Sequence, residues 1–206
     1  MNGLEHVVLF AVSLVANLFS AFSGGGAGLI QLPALIFLGL PFAIALATHK
    51  VASVALGIGA TVRHLKEGGL ERRLVTRILA FGLPGVVFGA NVILYVPERS
   101  AEVALGLLTA GLGIYSWLNP GLGQVVRQVN RDQRGVLIGG AVLFAIGALN
   151  GSLTSGTGLF VTLWLVRWFG LDYRRAIAYT LILVGVFWNG AGALTLGILG
   201  EIRWSW

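Results

Sequence analysis

Between His6 and His49 the chain has no Asp, Glu, Lys or Arg, and further charge-free runs cover 78–97, 135–166 and 176–200. A domain facing water on all sides carries about 25% charged residues. This chain has 11% charged residues against 56% hydrophobic, with a mean hydropathy of +0.87. In hydrocarbon every backbone polar group needs an internal partner, which leaves only helices and closed barrels. Barrel strands alternate apolar and polar over about ten residues. The runs here are apolar on every side, so the reading is all-α: a polytopic integral membrane helical bundle, multi-pass in the cell membrane.

Eight hydrophobic segments follow, at about 6–22, 27–40, 43–63, 74–96, 101–118, 136–151, 157–170 and 175–199. A crossing takes about 20 residues, so the second and seventh segments are short. Each follows a break, Ser23-Gly24-Gly25-Gly26-Ala27-Gly28 in one case and Thr154-Ser155-Gly156-Thr157-Gly158 in the other. The first segment lacks a basic stretch ahead of it and reads as a span, not a cleaved signal peptide. The 31 glycines suit a tightly packed membrane bundle, with small-xxx-small pairs at Gly85/Gly89, Gly106/Ala110 and Gly147/Gly151.

The absence of cysteine removes disulfides and thiolate metal sites, and no cofactor is called for. The net charge of +6 lies in loops and forms no basic patch with interleaved aromatics, so nucleic acid is not an expected partner. The lipid bilayer is; a homo-oligomer is left open.

The two breaks expose a repeat. Gly26-Ala27-Gly28-Leu29 aligns with Gly156-Thr157-Gly158-Leu159, and Ala47-Thr48 with Tyr179-Thr180 after a small insertion; Gly68 then aligns with Gly200 and Leu70 with Ile202. Residues 1–118 form a first transmembrane repeat, 119–135 a cytoplasmic linker, and 136–206 a second repeat. By this alignment the second repeat lacks its last two helices. With the N-terminus outside, the basic loops 63–77, 119–135 and 171–175 all fall in the cytoplasm, and the repeats are inverted. If the short segments are re-entrant, the repeats become parallel and Arg174 and Arg175 fall outside.

Ser23-Gly-Gly-Gly-Ala-Gly-Leu-Ile-Gln-Leu-Pro33-Ala-Leu, followed by Gly39-Leu-Pro41, resembles the first-repeat signature of the sulfite exporter TauE/SafE family of membrane transporters. Ala45-Leu46-Ala47-Thr48-His49-Lys50 is similar to that family's Ala-Thr-Asn-Lys variant, with His49 where Asn is commoner, and Arg63-His64 with Gly68-Gly69-Leu70 resembles it too. The second repeat, from Gly151 through Asn189, fits in layout, with Thr154-Ser155-Gly156 replacing a glycine-rich run. The resemblance covers the chain but not the family's C-terminal part. It implies a transporter of small organic or inorganic anions, often sulfur-containing, such as sulfite or sulfonates.

The breaks are the first candidate site. Exposed N–H groups at a helix N-terminus bind anions, and half-helix N-termini at mid-membrane are the transporter version. On this reading Gly24, Gly25, Gly26 and Gly28 face Thr154, Ser155, Gly156, Thr157 and Gly158 across a small anionic substrate. The plainer reading is that the glycines only permit a tight helix crossing. Lys50, deep in the third segment, is a candidate cation for that anion; the alternative is a lysine snorkelling to the interface. Thr48 and Thr180, equivalent by repeat, flank the same site or bond the preceding turn of their own helices. His49 is the candidate intramembrane proton carrier, or a structural residue bonded to a neighbouring helix. It points about 100° away from Lys50, so the two do not face one cavity squarely. Asn150 and Asn189 are candidate polar lining, while Asn17 and Asn91 read as interhelical hydrogen-bonders.

All eight acidic residues lie at span ends or in loops, and no Ser-His or His-Glu pair is evident on one helix face. The chain therefore reads as no enzyme, and the usual carboxylate proton relay of pumps is missing. A cytoplasm-negative potential pushes anions outward by about 2.3 kcal/mol per charge per 100 mV, which favours an exporter. The competing class is a non-transporting scaffold or a truncated, inactive transporter fragment.

Overall fold

The computed structural model describes residues 3–64, 70–118 and 129–199, and every regular element in them is helical. In chain order these are α1 (Gly3–Ser23), α2 (Ala27–Phe37), α3 (Phe42–His64), α4 (Arg72–Val92, extended by a 3-10 turn Ile93–Tyr95), α5 (Glu98–Leu118), α6 (Gln133–Ser152) and α7 (Thr157–Phe169). The last helix is continuous but changes type, from α8 (Tyr173–Tyr179) through a π-helical stretch Thr180–Trp188 to α9 (Asn189–Ile198).

Among the described residues four stretches are long and apolar enough to cross a membrane: Phe42–Arg63, Arg72–Tyr95, Gln133–Ser152 and Tyr173–Ile198. All four start one to three residues earlier than hydropathy suggests, and in two of them a capping aspartate is the cause. Asp132 caps α6 by accepting from the Gly135 N–H, and Asp172 caps α8 by accepting from Arg175. Each cap draws a polar first turn into the helix. By contrast α2 and α7 have 11 and 13 residues, about 16 and 20 Å at 1.5 Å per residue, against a hydrocarbon layer of about 30 Å.

Each short helix folds back along the one before it. In the first hairpin Gln31 Nε2 on α2 donates to Ser13 Oγ on α1 at 2.8 Å. In the second, Trp168 Nε1 donates to the Gly135 carbonyl at 2.9 Å and Trp164 Nε1 to that of Gly139 at 3.3 Å, setting the end of α7 beside the start of α6. The two hairpins enter from opposite ends of the bundle. At one end Glu71 bridges Arg131 at 3.0 Å, its N–H donates to Tyr179 Oη, and Asn130 Nδ2 donates to the Trp168 carbonyl. At the other the Phe42 N–H donates to Glu98, joining the Pro41 turn to the start of α5. A hairpin returns to the end it came from whether or not its tip crosses fully. Short segments and oppositely directed hairpins thus coexist, and Arg174 and Arg175 stay at the end that holds Glu71 and Arg131.

The tightest seam joins α4 to α6. A Cβ on Gly85, Gly89 or Gly151 would overlap the carbonyl oxygens of Phe144, Ala148 and Val86 respectively, so backbone lies against backbone. Two of the three expected small-residue pairs meet here in one interface. The third does not pack: nothing described lies within 4 Å of a Cβ built on Gly106. Helix α5 instead presents Val103, Leu107, Ile114 and Trp117 outward, as α1 does Phe10, Leu14, Phe19 and Phe22, an arrangement suited to lipid. Trp117 fits an interfacial anchor; Trp204 and Trp206 lie outside the described residues, as do the repeat matches at Gly68, Gly200 and Ile202. Asn17 and Asn91 correct the interhelical reading, since each donates to its own helix four residues back, to Ser13 and Val87.

Candidate functional site

The tips of the two hairpins touch. A Cβ on Gly25 would lie 2.8 Å from the Gly158 Cα, and one on Gly28 3.2 Å from the Ser155 Cα. Such an approach needs residues without side chains and a backbone that L-residues avoid. Gly24, Gly25 and Gly26 have φ of 79°, 137° and 100°, and Gly156 has 71°. Gly26 and Gly156, aligned by the repeat, occupy the same structural position. Each is the left-handed N-cap of its short helix, and neither helix has a side-chain cap.

The first N–H groups of a helix have no intrahelical acceptor. Among the described residues the turns around these starts use the N–H of Leu29, Thr157 and Phe160, leaving those of Ala27, Gly28 and Gly158 without a backbone partner. The two N-termini converge on one partly open cavity of about 40 Å³, room for about three water molecules. Gly25, Gly26, Gly28, His49, Asn150, Thr154, Thr157, Gly158, Thr180 and Asn189 line it, together with Ser20, Ser53 and Gly185. No carboxylate among the described residues lines it.

A hydrogen-bonded network holds the second tip. Lys50 Nζ donates to the Asn150 carbonyl at 2.7 Å and lies 3.4 Å from its Oδ1. Asn150 Nδ2 donates to Thr157 Oγ1 at 2.9 Å and approaches Asn189 Oδ1 at 3.4 Å. Thr154 Oγ1 returns to the Asn150 carbonyl at 2.7 Å, and Thr157 Oγ1 to the Thr154 carbonyl at 2.5 Å. These bonds hold Thr154 at a φ of 58°, uncommon for a residue with a branched Cβ.

Several expected site residues stand behind the wall instead of in it. Lys50 is wholly buried with its ammonium turned to Asn150, so it neither snorkels nor lines the cavity. Its charge sits one residue back, against the last turn of α6, where a cation complements the helix dipole. Gly24 packs against Ile177 and Thr162, Gly156 serves as the α7 N-cap, and Ser155 backs onto Gly28 with its hydroxyl unpartnered. Thr48 and Thr180 part company. Thr180 Oγ1 lies 2.8 Å from Thr162 Oγ1, whereas Thr48 is off the cavity with no partner; neither bonds its own preceding turn.

His49 is in the wall and Lys50 is not, as their angular separation requires. The statement that no Ser-His pair shares a helix face is overturned: Ser53, four residues on, lies 3.2 Å from His49 Nε2. Spacing alone could have found that pair. Gln31, Ser20 and Thr162 were also missed as site residues. Gln31 had a signal, being a lone amide in an apolar short helix, and it pairs with His49 Nδ1 at 2.7 Å.

Two broken hairpins, inserted from opposite ends and meeting at a cavity that mixes polar groups with the apolar Leu56, Leu181 and Val184, have the architecture of a membrane transporter. The family model for the sulfite exporter TauE/SafE matches residues 9–206, and the chain belongs to that family. It is 29% identical over 199 residues to a "Probable membrane transporter protein" of Haemophilus influenzae, covering 96% of this chain and 76% of that one. It is 30% identical over 202 residues to the "Probable membrane transporter protein YfcA" of Escherichia coli K12, covering 96% and 72%. A Sinorhizobium protein, "Probable membrane transporter protein ORF9", is 27% identical over 198 residues, covering 96% and 74%. No solved structure matches the chain. It is thus a multi-pass transporter of the cell membrane and not an enzyme.

Proposed function

We propose that the protein moves small anions outward across the membrane, sulfite or short sulfonates foremost, and binds them where the N-termini of α2 and α7 converge. The observation that carries this is the pair of uncapped, left-handed-glycine helix starts aimed into one cavity without a carboxylate. Each N-terminus is equivalent to about half a positive charge, and two placed together favour an anion between them. The N–H groups of Gly28 and Gly158 and the side chains of Thr180 and Asn189 supply donors, while the Thr157 hydroxyl is committed to the Thr154 carbonyl. Lys50 adds positive potential through Asn150 without touching the ligand.

On this reading residues 1–118 and 136–206 act as inverted repeats about the site, joined by the cytoplasmic linker 119–135. Single-cysteine labelling tests the orientation, because the chain has no native cysteine. Position 174 should react only from the cytoplasm and position 99 only from outside; labelling of 174 from outside would overturn it. The transport test is efflux of sulfite from proteoliposomes under an imposed potential, with short sulfonates as competitors. Absence of flux for all of them, in folded protein, would replace transport with the scaffold reading.

A further inference from the structure

We propose that His49 is the binding site for a proton that travels with the anion, and that Gln31 is the positioning residue that makes it so. This rests on the anion-transport reading above. Gln31 Nε2 is committed as donor to Ser13 Oγ at 2.8 Å, so its Oε1 is the atom turned to His49 and can only accept. The hydrogen of the neutral imidazole is therefore on Nδ1, 2.7 Å from that oxygen. The lone pair is on Nε2, which accepts from Ser53 Oγ at 3.2 Å, and both residues line the cavity. A Cβ on Gly28 would lie 2.9 Å from Nε2, so this nitrogen sits against the first turn of α2.

A proton added at Nε2 turns the acceptor into a cationic donor at the positive end of a helix. Two positive groups there are compatible only with a negative one between them, which the anion provides. Proton and anion then each bind better in the presence of the other, and the coupling is reciprocal. The groups bonded to the ring, Gln31 on α2 and Ser53 on α3, bear no charge, nor do Ser20 on α1, Thr154 at the second tip, or Thr180 and Asn189 on the last helix, which line the cavity with it. Lys50, the next residue on α3, is the one other buried charged side chain among the described residues; its ammonium is held by the Asn150 carbonyl, and its charge opposes a proton on His49 until an anion is present. With one proton aboard, a dianion still carries one negative charge outward, and a monoanion crosses without net charge.

Nitrogen-15 NMR of His-labelled protein, with His6 and His64 replaced by Asn, reads the tautomer directly. Nδ1–H with a bare Nε2 is expected before anion is added, and a doubly protonated ring once sulfite is bound. In proteoliposomes, sulfite efflux and proton movement recorded together should run at about one proton per sulfite, and that ratio should fall at least tenfold in His49→Asn whatever its total flux. Gln31→Leu, which keeps the histidine, should lose the Nδ1–H preference and lower the ratio. Sulfite movement without protons in the unaltered protein overturns proton coupling and leaves anion transport standing. An Nε2–H ring at rest, or protonation indifferent to sulfite, does the same. Absence of both sulfite binding and sulfite flux removes the transport reading and this one with it.

Discussion

The two hairpin tips do one job with different materials. The first is made of backbone: Gly24, Gly25 and Gly26 all take positive φ, and the turn closes through N–H groups that return to the Ser20 carbonyl. The second is made of side chains, where Thr154, Thr157, Asn150 and Lys50 form a closed set of hydrogen bonds around a single left-handed glycine. The first tip can let another backbone touch it, and the second can hold charge and hydroxyls beside the cavity. A glycine turn is sensitive to added volume, and a networked turn to lost partners.

The largest effect should come from volume at the first tip. Gly25→Ala combines a left-handed backbone, about 1–2 kcal/mol, with collision against the Gly158 backbone, about 1–3 kcal/mol more. Gly39→Ala shares the positive φ, at 92°, but meets open space, so only the backbone cost of about 1–2 kcal/mol should appear. Unfolding midpoints and sulfite flux for the two variants would break the comparison if they matched, since the tips would then not be in contact.

Next comes the second tip's charge. Lys50→Met removes a charge-assisted hydrogen bond worth about 1.5–3 kcal/mol, and sulfite flux should drop roughly tenfold to a hundredfold. Lys50→Arg should not rescue it, because the lysine side chain packs against the bare face of Gly192 and the wider guanidinium would have to displace that contact. An Arg variant with normal flux would show that the charge faces the ligand and not Asn150.

Thr157→Val should cost about 1–3 kcal/mol by leaving Asn150 Nδ2 short of its acceptor, and Thr157→Ser should recover most of it; equal losses in thermal unfolding would point to packing instead. The smallest effect is expected at Thr154→Gly. Relief of a left-handed backbone, about 1 kcal/mol, nearly offsets the lost bond to Asn150, about 0.5–1.5 kcal/mol. A loss above about 2 kcal/mol in the same measurement would mean that the hydroxyl carries more than the turn.

The fold was largely legible because its causes are local. Charge-free apolar runs in lipid must be helices, and a glycine run must end one. Hydropathy placed the starts of α6 and α8 about two or three residues late, since Asp132 and Asp172 carry polar first turns into each helix. The π-helical stretch Thr180–Trp188 left no mark in the sequence; there the Gly57 and Gly185 backbones touch, a matter of packing. The Gly26/Gly156 repeat marked the two helix starts.

What the repeat alignment did not contain was distance across the chain. Lys50 and Asn150 are 100 positions apart, the touching Gly25 and Gly158 backbones further still, and no local pattern says which carbonyl a buried ammonium will find. Composition and repeat determined that this is a helical membrane protein with two broken hairpins. Only the tertiary structure decided that the breaks meet, that Lys50 stands behind Asn150, and that Gln31 turns His49 Nε2 to the cavity. The reason is physical: helix formation answers to neighbours along the chain, whereas a buried polar group takes whichever partner packing brings within about 3 Å.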